Sequence, residues 1–274
     1  MHLFIDHRTE YRYSEPQRRI IQLLRVTPPS FNGQQIIDWQ INVECDARLL
    51  PGRDGFGNDT TMLYVDGPIN SLVLTIKGEV LTENRHGIVQ GAPSQLPPDV
   101  FLQQTALSRT SSEISDFASA ISAQQADRIA CLHLLMDELH GRIRFDPDET
   151  YVEREASDAF APGTGVCQDH AHIFCAAARE IGVPARYVSG HLFQRDDSGR
   201  QPASHAWAEA FVDGLGWVGF DPTNNMCPDD AYIRVAIGLD YRDAAPLSGS
   251  RAGGGTESLF VGVTVSQAQT QSQS

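Results

Sequence analysis

The stretch Gly163-Thr164-Gly165-Val166-Cys167-Gln168-Asp169-His170-Ala171-His172-Ile173-Phe174-Cys175-Ala176-Ala177-Ala178-Arg179-Glu180-Ile181-Gly182-Val183-Pro184 sets how the rest of the chain is read. Within it Cys167, Ala171, Phe174, Cys175, Ala178 and Ile181 recur at helical spacing. Gly182 stands where a left-handed C-terminal cap belongs, and Pro184 blocks continuation. The pattern predicts one buried helix with Cys167 in its first turn. Gly163 and Gly165 predict an irregular loop that delivers the chain to the helix start. A thiol placed there faces unpaired N–H groups and the positive end of the helix dipole, both of which stabilise a thiolate. A cysteine taken alone is more often a small core residue, so its role depends on what the chain brings beside it.

A cysteine nucleophile needs a base and a third group that orients the base, and the three are usually distant in sequence. Beyond the helix the sequence predicts three strands, Ala185 to Phe193, His205 to Val212 and Trp217 to Phe220. On the second, His205, Trp207, Glu209 and Phe211 share one face, while Ala206, Ala208 and Ala210 occupy the other. Asp221 ends the third strand. In an antiparallel hairpin, Asp221 joins the His205 face only if the connecting loop has an odd number of residues. It then lies opposite Trp207, diagonal to His205. Gly214 and Gly216 predict such a loop with a bulge. Cys167, His205 and Asp221 are therefore the candidate catalytic residues.

The blocks Gly165-Val166-Cys167-Gln168-Asp169, Gly182 through Gly190, His205-Ala206-Trp207-Ala208-Glu209 and Gly216 through Thr223 resemble, in order, the core of bacterial transglutaminase-like proteins. The N-terminal strands resemble the β-rich domain that precedes this core in one bacterial branch. The resemblance implies a papain-like α+β core in which Cys167 is the nucleophile, His205 the base and Asp221 the orienting acid. It does not imply transglutamination, because the superfamily includes cysteine peptidases, amidases, deamidases and inactive members. The expected chemistry is thiol-dependent hydrolysis or acyl transfer at an amide bond through a thioester. Protein-glutamine transglutamination or deamidation is the second reading, and a non-enzymatic interaction module with the same fold is the third. The Cys167 N–H is the expected oxyanion donor, with Gln168 or a residue of the preceding loop as a second.

From Met1 to about Thr82 the signals are strand-like. Leu3, Ile5, His7, Thr9, Tyr11 and Tyr13 alternate with mostly polar residues, as do Ile37, Trp39, Ile41, Val43 and Cys45, with turn clusters between runs. An antiparallel β-sandwich or barrel-like domain is expected over 1–105, with a linker near 84–105 where Gly and Pro break any period. The transglutaminase-like part, helices packed on an antiparallel sheet, is expected over 106–274. Ser112 or Ser115 caps a short helix there, a longer one runs from Ile129 to Gly141, and one turn forms near Ala156. A last strand is expected from Leu259 to Val265, and a disordered tail from about 266.

The chain has 274 residues, 41% hydrophobic and 20% charged, the composition of a globular protein. Its net charge is −14, and 23 of its 35 Asp and Glu follow residue 105. Such acidity disfavours phosphate backbones and anionic lipid, so neither nucleic acid nor membrane is expected as a partner. A peptide or protein amide is the expected substrate, with the acidic charge of the catalytic half favouring basic peptides. Oligomeric state leaves no trace in the sequence. The first residues lack an export signal and the five cysteines are scattered, which predicts reduced thiols and a cytoplasmic location. No cofactor and no metal are expected. His170 shares a face with Cys167 but His172 points elsewhere, and paired Cys-x-x-Cys or His-Glu-x-x-His spacing is missing, so both are expected to be helix residues making polar contacts, with lining of the cleft by His170 as the alternative.

Overall fold

The computed structural model describes residues 1–92, 96–147, 154–195 and 204–268. Four strands open the chain: β1 (His2–Leu24), β2 (Gln34–Val43), β3 (Arg48–Arg53) and β4 (Asp59–Thr82). After the short β5 (Ile88–Val89) and a 3-10 turn over Pro98–Leu102 come α1 (Ser112–Gln124), α2 (Arg128–Arg142), β6 (Arg144–Phe145), α3 (Ala156–Phe160), β7 (Thr164–Gly165) and α4 (Cys167–Glu180). The remainder is β8 (Ala185–Leu192), β9 (Ser204–Val212), β10 (Gly216–Phe220), β11 (Tyr232–Gly238), α5 (Tyr241–Ala244), β12 (Leu247–Ala252) and β13 (Glu257–Gln267).

The period of two in β1 is realised as burial: Leu3, Ile5, His7, Thr9, Tyr11 and Tyr13 are inside, and Phe4, Asp6, Arg8 and Arg12 are exposed. β1 and β4 form the centre of a six-stranded antiparallel sheet, with β12 and β13 on the far edge of β1 and β2 and β3 on the far edge of β4. The ladder between β1 and β4 is irregular from Arg12 to Arg19, around Pro16, which has no N–H to donate. Tyr11, Ile20, Leu24, Leu63, Leu72 and Leu74, from both halves of both long strands, pack in one cluster. The inner face of the sheet thus closes on itself, in the sandwich-like manner expected.

Two expectations change. Residues 247–267 do not belong with the preceding core sheet: β12 pairs with residues 19–24 of β1 and β13 with residues 3–13. The strand extends to Gln267, past the expected start of the tail, and residues 269–274 lie outside the described set. The reason is nonlocal: β1 is long and needs partners along its whole outer edge, a demand that nothing near residue 259 records. The segment 84–105 is likewise more than a linker, since β5 pairs with β10 and Phe101 is fully buried. A two-residue strand carries no readable period.

The second sheet is antiparallel, in the order β11-β8-β9-β10-β5, and α4 packs against β8 and β9. From Ala171 to Ala178 every side chain of α4 is fully buried, as expected of a helix that is apolar around its circumference. Ser111, one residue before the expected candidates, caps α1 by accepting the Ile114 N–H. Gly182 has φ +74°, and the Val183 N–H reaches back to the Ala178 carbonyl, closing the helix end as expected. Arg179 in the last turn is buried, and its guanidinium donates to the carbonyls of Phe101, Ala185 and Leu239 and to Ser108 Oγ. One side chain thereby ties the end of α4 to β8 and to the segment after β5. Leu3, Ile5 and Val80 of the first sheet share a core with α4 and the other helices.

Candidate active site

Cys167 is the first residue of α4, half-buried and without a disulfide. The loop before it is held from three directions. The Arg144 N–H donates to Gly163 and the Asp146 N–H to Gly165, forming the parallel β6–β7 pair. Asp169, one turn into the helix, accepts the Val166 N–H at 2.9 Å through Oδ2. Gly165 is required for this approach, because a Cβ there would lie 2.7 Å from that carboxylate oxygen. His170 completes the anchorage, with Nδ1 2.9 Å from the Val166 carbonyl and Nε2 3.1 Å from the Ile143 carbonyl. His170 is therefore committed to the loop rather than lining the cleft. His172 is fully buried, accepts the Tyr241 N–H at 3.0 Å, and is pushed down to about 4 by burial.

The hairpin β9–β10 has the odd register. Val212 pairs with Gly216 across Asp213, Gly214 and Leu215, and Ala208 pairs with Phe220, so Asp221 follows on the face of His205. Gly214 and Gly216 have φ of +83° and +85°, the left-handed conformation this loop demands. His205 Nε2 lies 2.7 Å from Asp221 Oδ2, both groups buried. Asp221 does not engage the other ring nitrogen, Nδ1, and Cys167 and His205 line the same cavity. The structure thus brings Cys167, His205 and Asp221 together in the expected order.

The carboxylate is more heavily supported than the three-residue pattern shows. Asp221 Oδ1 accepts the backbone N–H groups of Thr223 and Asn224, and Oδ2 accepts Asn224 Nδ2 at 2.7 Å and the Tyr232 hydroxyl at 2.8 Å. Burial disfavours the anion, but the imidazole and these donors outweigh it and hold the carboxyl below its ordinary range. For His205 burial again acts first and downward. The charge and hydrogen bond of Asp221, with the Cys167 contact, reverse it and raise the imidazole to about 10. Asn224 and Tyr232 are the residues that sequence reasoning missed. Asn224 sits in the turn after Asp221-Pro222, and Tyr232 opens β11, a β-branched apolar run that could have been read as a strand.

The same face is braced by packing and by charge. Trp207 fills the space beside His205 and Tyr232, and Gly190 admits it: a Cβ at Gly190 would lie 2.6 Å from the indole and 2.2 Å from the Ile233 carbonyl. Further along β9, Glu209 is fully buried between two guanidinium groups, Arg186 Nε at 2.6 Å and Arg234 Nε at 2.8 Å. The Arg186 guanidinium also lies 3.8 Å from the Trp217 ring centre. This triad clamps β8, β9 and β11 together behind the site.

Cys167, Gln168, Tyr187, His191 and His205 open into a cavity of about 280 Å³, walled on its other side by His7 and its neighbours on β1. Among its described lining residues none is Asp or Glu. The described part of the lining thus offers no carboxylate to a basic peptide.

Fold and site together define a papain-like α+β core that brings a thiol to the same cavity as an imidazole paired with a carboxylate. The transglutaminase-like superfamily model matches residues 115–222, and the bacterial transglutaminase-like N-terminal region matches residues 3–81. The chain is 30% identical to the Mycobacterium leprae protein ML0607 over 96% of this chain and 98% of that one. It is 27% identical to the Mycobacterium tuberculosis protein Rv2569c over 89% and 86% of the two chains. Both relatives are uncharacterized. A crystal structure of a candidate cysteine protease from Cytophaga hutchinsonii superposes with a TM-score of 0.79 at 21% identity, covering all of this chain and 92% of that one. The chain belongs to the bacterial branch of the transglutaminase-like superfamily.

Proposed function

We propose that the protein is a thiol-dependent amide hydrolase or acyl transferase, a cysteine peptidase or amidase of its superfamily. The observation that carries this reading is the grouping of half-buried Cys167 with the buried His205–Asp221 pair at a cavity. Cys167, as the thiolate of an ion pair with His205, attacks the carbonyl carbon of an amide. The carbonyl oxygen, gaining charge, meets the Cys167 N–H at the start of α4. Protonated His205 gives its proton to the leaving amine, the C–N bond breaks, and a thioester remains on Cys167. Neutral His205 then takes a proton from an incoming nucleophile. Its attack on the thioester breaks the C–S bond and releases Cys167 as thiolate beside protonated His205, so that water gives the acid and an amine gives a new amide. Asp221, held by Asn224 and Tyr232, fixes the imidazole with Nδ1 toward sulfur. Cytoplasmic location is part of the same reading, supported by five free thiols.

The test is to trap the acyl-enzyme. Acid-quenched mixtures of protein and a peptide amide are expected to show an adduct at Cys167 by intact mass, lost on adding hydroxylamine and missing from the Cys167→Ala protein. Turnover is expected to fall as pH rises past about 10, because His205 then has no proton for the leaving amine. Product formation by the Cys167→Ala protein at the wild-type rate would refute the reading.

A further inference from the structure

The last strand of the chain forms part of the wall of the Cys167 cavity. Leu259 and Val261 on β13 both line it, although β13 belongs to the first sheet and Cys167 to the helix packed on the second. These two side chains are about half exposed (52% and 54%). Phe260 between them points to the other face, where the Arg12 guanidinium lies 5.3 Å from its ring centre. Val26, Val235 and Leu247 add to the same lining. Of the charged side chains that reach it, Arg25 is neutralised by Asp54 at 2.9 Å. The two other histidines of the lining, His7 and His191, are kept neutral by burial. The part of the wall formed by Val26, Val235, Leu247, Leu259 and Val261 is therefore apolar, while Thr9, Gln168, Ser189 and Ser204 supply polar groups elsewhere in the lining. A volume of about 280 Å³ is ample for one large side chain, since a cavity of about 150 Å³ already holds benzene. The outer edge of β13 has no strand partner among the described residues, which leaves backbone donors and acceptors for an extended chain.

We propose that Leu259 and Val261 form the acyl-side specificity wall, and that the substrate is an extended polypeptide bearing a bulky apolar side chain next to the carbonyl attacked by Cys167. This rests on the amide-cleaving reading above and names its substrate. A polar side chain set against Leu259, Val261 and Leu247 would lose its water without gaining a partner from them, whereas Leu or Phe exchanges water for their surface. The unpaired edge of β13 favours a polypeptide over a small amide, because only a chain can continue the ladder.

The test uses the full chain with Cys167→Ala, so that binding is read without turnover. Labelled hexapeptides differing at one position (Leu, Phe, Gly, Lys or Glu) are titrated by fluorescence anisotropy. Leu and Phe peptides are expected to bind at least about tenfold tighter than the Gly peptide, with Lys and Glu no better than Gly. Adding Leu259→Asp and Val261→Asp, both at half-exposed positions, is expected to bring that ratio below about threefold. N-methylation of the peptide backbone is expected to weaken binding of the Leu peptide. Equal affinity across the panel, or an unchanged ratio in the Asp variants, would overturn the proposal. So would β13 variants that split a dimer, since a second copy would then own the edge. The alkylation rate of Cys167 in the otherwise unaltered protein separates the two readings: a reactive thiol with no apolar preference defeats only the specificity wall.

Discussion

Asp221→Asn is expected to lower kcat by about 10³ to 10⁴, with a much smaller change in KM. The figure follows from the cost of losing the orienting carboxylate in other triads. In this protein the carboxylate accepts five hydrogen bonds, from His205, the Thr223 and Asn224 N–H groups, Asn224 Nδ2 and the Tyr232 hydroxyl. An amide at 221 offers one acceptor oxygen where the carboxylate offers two, and its NH2 must face one of these donors. The imidazole loses both its preferred orientation and the charge that raises it to about 10. The pH profile should record this: the alkaline limb of turnover, set by His205 losing its proton, moves toward neutrality in Asp221→Asn. Tyr232→Phe removes only one donor and is expected to cost about tenfold or less. Steady-state rates between pH 5 and 11 check both. An Asp221→Asn protein with wild-type kcat would mean that the carboxylate serves folding alone.

The second large effect is on stability. Glu209→Gln is expected to destabilise the fold by about 3–5 kcal/mol, the range for breaking a buried ion pair and leaving its partner uncompensated. Both guanidinium groups at this site are buried and both use the Glu209 carboxylate. Burial already pushes Arg186 down to about 10, with Glu209 as the main opposing influence. Removing the anion leaves two cations facing each other across β8, β9 and β11. Urea unfolding followed by tryptophan fluorescence measures the loss directly, because Trp207 and Trp217 lie in the same apolar cluster. A loss below about 1 kcal/mol would show that Arg186 and Arg234 find other partners, and that the clamp is dispensable.

What could be read from the chain, and what could not, follows from how far each signal reaches. The helix of Cys167 was legible because its apolar period, its Gly182 cap and Pro184 all lie within one turn of where they act. The register of Asp221 was legible because a hairpin ties it to Gly214 and Gly216, a few residues away. The return of residues 247–267 to the first sheet was not, since β13 and the β1 residues it pairs with are separated by nearly the whole sequence. The same distance concealed the apolar wall of the cavity. Tyr232 was hidden for a milder reason: β11 is a plain buried strand, and only its pairing with β8 carries that hydroxyl to Asp221. The polar contacts expected of His170 are present, but only the fold supplies their partners, the carbonyls of Val166 and Ile143.

The proposed pairing of Cys167 with His205 is tested most directly by a measurement that needs no substrate. It is the iodoacetamide alkylation rate of each cysteine as a function of pH, mapped by mass spectrometry. Burial raises the thiols of Cys45 and Cys131 and takes Cys175 and Cys227 up to about 11, so these four should stay unlabelled near neutrality. Cys167 alone is expected to react rapidly at pH 6 to 7, and His205→Ala is expected to abolish that reactivity. A Cys167 that reacts no faster than an unperturbed thiol, or one indifferent to His205→Ala, would contradict the ion pair and the chemistry built on it.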